Sequence, residues 1–527
     1  MKKIVLFIFI TSQLYFAQNE QKSIELPDFV ITGRQSVDVQ TASKGKPSLI
    51  STLSEDFLIP QYSPEELDLF FTSNPKPIQP KITSDDYFSG SLYIGGGRYT
   101  LPTGRFNLTN SFGNYLFSAN VWGSNIAEYI PNAGMNTSGV SLNNYFFLDT
   151  SSDFLPGTSI RLNGGYSRDS YKFYASTTPT FERKMGLSEI NLSFSNTYLK
   201  WISFGFNFDA HLLKFKESNL IEKIFDFDGL IEFKLSRLSI GVSGAFKKQL
   251  LSNNPSMVSD YNYFSANGYI KLNPTNSFIL KFGIDYSSNE IDNLFAPFGE
   301  MQLALDKNLV FQLEYKPHTT FNTLRDFVNQ NYYMFNRTND NVFTKVNSDL
   351  KGMFKYEFEN YFSASVVGQY SKAESFLYFE DVIQPGFFEV KTSPEVQIIQ
   401  LGMNLLYNTQ LFGYFVGEVK YNSVKDNLDF YIPYQSKYKF ELIYGYDFSF
   451  GLEARIKLNS LIDTYTNITN TGKIDSSHDL SFGLSYKLFN ALSFRADFQN
   501  ILNRANFVLK QYQEKLFDVI LGIEYRW

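Results

Sequence analysis

From about Tyr87 to the last residue, bulky apolar side chains alternate with polar or small ones. In 202–209, Ile202, Phe204, Phe206 and Phe208 take turns with Ser203, Gly205, Asn207 and Asp209. Ile190, Leu192 and Phe194 oppose Asn191, Ser193 and Ser195, and Ile231, Phe233 and Leu235 oppose Glu232, Lys234 and Ser236. The stretches 480–488 and 492–499 repeat the rule. A period of two is that of a strand with one apolar and one polar face. A soluble β-sandwich, β-helix or propeller also alternates. Here, however, the apolar positions hold Phe and Leu in long consecutive sets, and the polar face is small or charged on strand after strand, as a wet lumen requires. A closed barrel is the form of sheet that satisfies every backbone group without water.

The pattern predicts an all-β fold: a large antiparallel transmembrane β-barrel over 87–527, preceded by a short irregular N-terminal extension. At roughly 20 residues per strand and connection, the barrel should have about 18–22 strands. "NPTN" at 273–276 reads as a periplasmic turn. The stretches near 168–187, 287–298, 318–342 and 459–474 read as extracellular loops. In the closing "FDVILGIEYRW", Phe517, Val519, Leu521, Ile523, Tyr525 and Trp527 share one face, while Asp518, Glu524 and Arg526 share the other. This is the pattern of a last barrel strand, with the odd positions toward lipid. Its aromatic end is expected to be the signal read by the outer-membrane assembly machinery.

The first residues follow a different logic. Residues 1–17 have Lys2 and Lys3, an apolar run from Ile4, and Tyr15-Phe16-Ala17, which together read as a secretory signal peptide. The chain is therefore expected to be exported to a Gram-negative outer membrane. Residues 18–86 hold Pro27, Pro47, Pro60, Pro64, Pro75, Pro77 and Pro80. Proline cannot donate to a sheet ladder, so this region is expected to be extended or irregular, with a short helix where Ser63 and Glu66 form a capping box.

Aromatic residues make up 17% of the chain, with 54 Phe and 35 Tyr. Such side chains suit half-buried strands and membrane interfaces, so girdles should mark the strand ends. The runs 331–335 ("NYYMF") and 376–379 ("FLYF") are candidates for a girdle or, less readily, a loop surface. The chain has no cysteine, which excludes disulfides, thiol catalysis and thiolate metal sites. A net charge of -6 without a basic run excludes nucleic acid as a natural partner.

Little in the sequence points to catalysis. His211, His318 and His478 lie in separate regions with no partner at metal-ligand spacing. No serine sits in a nucleophile elbow. The glycines at 95–97 lack the Lys-Ser and helix of a phosphate loop and read as a strand needing close backbone approach or a bulge. "DFDG" at 226–229 lacks the partners of a calcium loop, and "NRT" at 336–338 is an incidental sequon. No enzymatic activity and no cofactor are expected.

Two stretches resemble TonB-dependent outer-membrane receptors. In 313–334, Phe321, Thr323, Leu324, Asp326, Phe327 and Asn331 follow the order of that family's F-x-x-P-T-L-x-E-L-Y-x-x-N-P loop, with Asn322 and Tyr332 where prolines would stand. Near the end, Asn500, Leu502, Asn503 and Phe507 are similar to its N-L-F-N-x-x-Y segment. Asp28, Phe29, Val30, Ile31 and Thr32 resemble a TonB box, which would pair with TonB by strand addition. The resemblance implies solute uptake across the outer membrane.

One departure is large. About 50 residues separate Arg34 from Tyr87, too few for the family's plug domain. An empty lumen of this width would be a hole. Three remedies are open: the N-terminal segment enters the lumen, long loops close it, or another protein fills it. A passive porin-like channel, or a platform for another outer-membrane or periplasmic protein, is the alternative function. Lipid, an unknown solute or a partner protein are the expected contacts.

Overall fold

The computed structural model describes residues 88–253, 260–289, 291–336, 341–359, 361–381, 384–409 and 411–527. The signal peptide, the N-terminal extension and the TonB-box-like residues 28–32 lie outside the described residues. The strands run in chain order. They begin with β1 Gly90–Gly97, β2 Thr100–Phe112, β3 Tyr115–Ile126, β4 Met135–Phe147, β5 Ser159–Lys172 and β6 Glu182–Asn196. Next come β7 Ile202–Phe215, β8 Ile221–Leu235, β9 Leu238–Ser252, β10 Asp260–Thr275, β11 Phe278–Asn289 and β12 Asn293–Asp306. Strand β13 is Leu309–Tyr315, continued by His318–Phe321, and helix α1 is Leu324–Gln330. Then follow β14 Phe343–Phe358, β15 Phe362–Glu380, β16 Phe388–Asn408, β17 Tyr414–Asp426 and β18 Tyr438–Asp447. Strands β19 Leu452–Ile462, β20 Ser477–Phe489, β21 Leu492–Gln499 and β22 Asp518–Arg526 complete the set.

Each strand pairs antiparallel with the next, and β22 pairs back onto β1 with Ile523 opposite Ile94. The result is a closed barrel of 22 strands, at the upper end of the expected range. Alternation decides the two faces. On β8, Phe225, Phe227, Ile231, Phe233 and Leu235 are exposed on the outside, where lipid would meet them. The intervening Glu222, Asp226, Asp228 and Glu232 turn inward, where Asp226 pairs with Lys247 of β9 at 2.6 Å. On β22, Leu521, Ile523, Tyr525 and Trp527 are exposed outward, whereas Asp518, Ile520 and Glu524 are buried inward.

The rim holding Phe88 and Trp527 has mostly tight turns, among them 236–237, 276–277 and 490–491, and the opposite rim has the long loops. Short periplasmic turns and long extracellular loops are the rule for such barrels, which sets the orientation. Phe112, Phe154, Trp201, Phe412, Phe450 and Phe489 are exposed along the periplasmic rim, as a girdle requires. At the seam, Gly90 exchanges backbone hydrogen bonds with Trp527 (3.0 and 3.1 Å). A Cβ at Gly90 would lie 2.4 Å from the Trp527 ring, so only glycine lets the indole lie flat across β1.

Three expectations need correction. Residues 287–298 are mostly strand, because β11 and β12 continue to Asn289 and from Asn293. In 168–187 the loop is only 173–181. The run at 331–335 lies in the loop after α1, and 376–379 lies in β15 near the mouth with Tyr378 and Phe379 buried. Neither belongs to a girdle. The glycines at 95–97 do lie in a strand with continuous register, and the Tyr93 hydroxyl sits 2.6 Å from where a Cβ of Gly95 would be.

Candidate functional site: a roofed lumen

Thr323 caps α1 in a capping box: its hydroxyl accepts from the Asp326 N–H (3.2 Å), and the Asp326 carboxylate accepts from the Thr323 N–H (2.8 Å). The helix lies across the extracellular mouth with Leu324, Phe327 and Val328 buried. They join an apolar cluster with Met185, Leu213, Phe215, Leu251 and Tyr261 from the barrel wall. Two of the helix's first N–H groups have no partner within the helix. Glu222 of β8 supplies one: its carboxylate accepts from the Leu324 N–H at 2.6 Å and the Arg325 N–H at 3.2 Å. The same carboxylate, with 0% of its side chain exposed, accepts from Gln249 at 2.5 Å and meets His211 Nε2 at 3.1 Å. A buried carboxylate survives only when its oxygens are filled this way. Glu222 thus clamps the loop to the wall.

Beyond α1 the loop returns through aromatic rings. Tyr333 stacks on Tyr512 of loop 500–517 with ring centres 3.5 Å apart and planes 19° apart. Tyr174 of loop 173–181 meets Tyr512 edge-on at 5.1 Å. Phe173 stacks on Phe387 at 5.2 Å, and Phe335 meets Phe387 at 4.5 Å. Hydroxyls tie the rings to backbone: Tyr129 and Tyr174 donate to the Gln513 carbonyl (2.8 and 2.6 Å), and Tyr512 donates to that of Gly386 (2.6 Å). Burial and the neighbouring tyrosines push the Tyr174, Tyr333 and Tyr512 hydroxyls well above their usual range, so they stay neutral. Buried Arg183 underpins the roof, pairing with Glu217 at 2.9 Å, donating to the Met334 carbonyl, and lying 4.9 and 4.6 Å over the Phe173 and Phe215 rings.

Beneath the roof, against β19–β21, lies a cavity of about 850 Å³. Tyr129, Tyr333 and Met135 form its ceiling, and charged wall residues of both signs line its sides. Its cations are answered within the wall: Lys457 by Glu441 (3.1 Å), Arg495 by Glu524 (2.5 Å) and Lys515 by Asp518 (2.7 Å). Asp518 also accepts from the Tyr99 N–H (3.0 Å) and the Thr100 hydroxyl (2.8 Å), fastening the extracellular turn of β1 and β2 to the seam.

A second loop contact has its own chemistry. The Tyr431 and Tyr465 rings stack at 5.4 Å with the Lys437 ammonium 3.9 Å above Tyr431. Asp463 pairs with Lys437 (2.6 Å) and with Lys473. Partial burial alone would raise the Asp463 carboxyl, but these two lysines hold it below its ordinary value.

The two family-like stretches meet here. Phe321, Thr323, Leu324, Asp326, Phe327 and Asn331 build α1 and its flanks. Asn500 and Asn503 take left-handed backbone (φ 47° for each) in the turn after β21, and the Asn500 amide donates to the Arg504 and Lys515 carbonyls. Leu502 is exposed and Phe507 starts the small hairpin that presents Tyr512. The Tyr333–Tyr512 stack joins the two loops. Sequence reading missed Tyr129, Tyr174, Arg183, Glu222 and Tyr512. Glu222 sits at one of many inward polar positions of an alternating strand, and nothing local distinguishes it. His211 lies on the lumen side beside Glu222, and His318 lies 3.9 Å from Asp349. Among the described residues no group of acidic, histidine or cysteine side chains could hold a metal ion.

A closed barrel with an apolar outside, a polar lumen and a loop-built cover is an outer-membrane barrel. More narrowly, its fold is that of the barrel of TonB-dependent receptors, without a plug among the described residues. No protein-family model and no curated protein matches the sequence. Among solved structures, the ferric-catecholate import receptor Fiu from E. coli K12 superimposes with a TM-score of 0.62 at 10% identity, over 84% of this chain and 82% of Fiu. The iron transporter FrpB from Neisseria meningitidis gives 0.64 at 11% identity, over 84% and 82%. The siderophore receptor PiuA from Acinetobacter baumannii gives 0.62 at 10%, again over 84% and 82%. At such identities the likeness is one of fold.

Proposed function

We propose that this protein takes up a solute across the outer membrane through a lumen that its extracellular loops keep closed. The observation that carries the reading is the roof: buried aromatic loops pack over a cavity of about 850 Å³ instead of leaving a water-filled mouth. A passive pore has no use for such a cover. The neighbours named as an import receptor, an iron transporter and a siderophore receptor support the same class of work. The solute enters from outside when the loop carrying α1 leaves the mouth. Release toward the periplasm is coupled to TonB through residues 28–32.

Single-channel recording of the full chain in a planar bilayer tests this. The native protein should be silent or nearly so, and Tyr333→Ala with Tyr512→Ala should conduct. Steady porin-like conductance of the native protein refutes the gated reading. For the coupling, the periplasmic domain of TonB should capture the native protein and not a Val30→Pro variant, since proline removes a backbone donor that strand addition uses. Equal capture of both excludes residues 28–32.

A further inference from the structure

A second cavity, of about 270 Å³, lies below α1 against β14–β16, with Gln435 of loop 427–437 at its edge. Ligand pockets span about 300–1,000 Å³, so this one suits a small solute or one end of a longer one. Its shape has a local origin. Strand β13 stops at Tyr315 and resumes at His318, and β14 carries an extra residue at Asn347. Thr344 and Val346 therefore face the cavity above that bulge, and Asp349 faces it below. The lining differs in kind from that of the large cavity. Among the described residues, no lysine or arginine lines it, and Asp349 is its one carboxylate. Asp349 Oδ1 accepts from the Ser371 hydroxyl (2.7 Å) and the Gln369 amide (2.8 Å), and Oδ2 lies 3.9 Å from His318 Nδ1. The remaining polar lining is chiefly carboxamide: Asn322, Gln330, Gln369, Gln400 and Gln435. Internal bonds use only part of that set. Gln369 donates to Asp349 and Ser371 and keeps its carbonyl oxygen for a ligand. Gln400 donates to Asn422 (3.2 Å) and keeps its own oxygen, while Gln435 accepts from Asn422 (3.4 Å) and keeps its –NH2. Gln330 is exposed at the end of α1. The Phe327 and Phe379 rings, edge to face at 6.2 Å, supply an apolar side.

We propose that this cavity binds a neutral, hydroxyl-rich solute, a sugar ring, held between α1 and the lumen wall. A hydroxyl both donates and accepts, and a set of carboxamides offers both in return. An anionic ligand would meet no cation on this lining, and a cationic one would meet a carboxylate whose Oδ1 is already filled. Either would give up its hydration without a full partner, which a neutral polyol does not do. The two phenylalanine rings match the C–H face of a sugar. Position adds a consequence. Phe327 and Gln330 come from α1, whereas Gln369 and Gln400 come from the barrel wall, so a bound ring joins the roof to the wall. The proposal names a solute class for the uptake reading and rests on that reading for its purpose. Binding itself is measured apart from transport.

The test titrates the purified full-length protein in detergent with methyl glucoside, methyl galactoside, methyl mannoside and maltose. Glucuronate and glucosamine serve as charged analogues, and calorimetry or ligand-observed NMR reads the binding. At least one neutral sugar should bind, and both charged analogues should bind at least five-fold more weakly. Gln330→Ala and Gln400→Met should each weaken binding of that sugar five-fold or more in protein that still migrates as a folded, heat-modifiable barrel, because a site built to pair hydroxyls loses its discrimination with its amides. Binding of none of these sugars, equally tight binding of a charged analogue, or unchanged affinity in both variants overturns the proposal. If Gln400→Met does not assemble, Gln330→Ala at its exposed helix position decides. The uptake reading fails separately. A native protein that binds sugar yet conducts steadily in a bilayer refutes the gated lumen and leaves this site standing, whereas a silent protein that binds no sugar refutes the site alone.

Discussion

The two ends of the barrel solve different problems with the same residue types. At the periplasmic rim Trp201 and Phe412 point outward and singly, each exposed where a membrane interface would receive it, and Phe450 is exposed there beside Phe448. At the extracellular rim Tyr174, Tyr333, Phe387 and Tyr512 point inward and touch one another. The first set anchors the barrel to its surroundings; the second closes it against them. Ring chemistry therefore does not tell anchor from gate. What separates them is whether neighbouring loops are long enough to bring rings together over the lumen.

The contrast can be broken most severely at Glu222. Glu222→Ala leaves the α1 N–H groups and Gln249 buried without their acceptor, at a cost of about 3–5 kcal/mol. Loop 322–342 should then become protease-sensitive on intact cells while the barrel stays folded. A loop as resistant as in the native protein would mean that the clamp is dispensable. Next in size is Tyr512→Ala, which removes one face of the central stack and costs about 3 kcal/mol of roof packing. It should raise single-channel conductance without altering the periplasmic girdle. At the other end, Gly90→Leu or deletion of Trp527 should lower the fraction of assembled, heat-modifiable protein several-fold and leave the roof of assembled molecules unchanged. Normal surface levels of either variant would rule out the seam glycine and the terminal ring as assembly determinants.

The smallest effect concerns pH at Asp463. Its carboxyl is held below the ordinary value of 3.8, so the grip on Lys437 and Lys473 is fully present above that value and lost as pH falls through the lowered one. Asp463→Asn should abolish that pH dependence at a cost of up to about 1 kcal/mol, in line with partly exposed ion pairs. An acid protease applied to loop 463–476 as pH falls from above 3.8 to well below it reads this out.

Much of the wall was legible in the sequence. Lipid outside and water inside force alternation on every strand, so 202–209 and 517–527 disclosed which side each residue faces. Legibility faded where strands rise above the membrane. There the outward positions no longer have to be apolar, and Asn289 and Asn293 look like loop although they end strands. The roof was harder still. "NYYMF" has the composition of a girdle, and only the three-dimensional path of loop 322–342 places Tyr333 on Tyr512, 179 residues away. Thr323, Leu324 and Asp326 came into view through a family-like pattern, and their order reflects a capped helix rather than a ligand contact. Glu222 could not have been singled out, because its importance lies in what arrives above it.

The seam between β22 and β1 bears on how the barrel comes to exist. Every other neighbouring pair of barrel strands is consecutive in the chain, so the sheet can grow as a series of local hairpins, each closing a short loop. Joining β22 to β1 is different: the Asp518–Tyr99 hydrogen bond alone spans 419 residues. Contacts of that separation form slowly. Until it forms, the growing sheet has two unpaired edges inside a membrane that cannot hydrogen-bond to them. The Trp527–Gly90 pairing at one end and the Asp518 clasp at the other would then act as the two fasteners of the last and slowest step. A variant weakened at the seam should accumulate as an open, edge-exposed sheet long before any loss of finished barrels is seen.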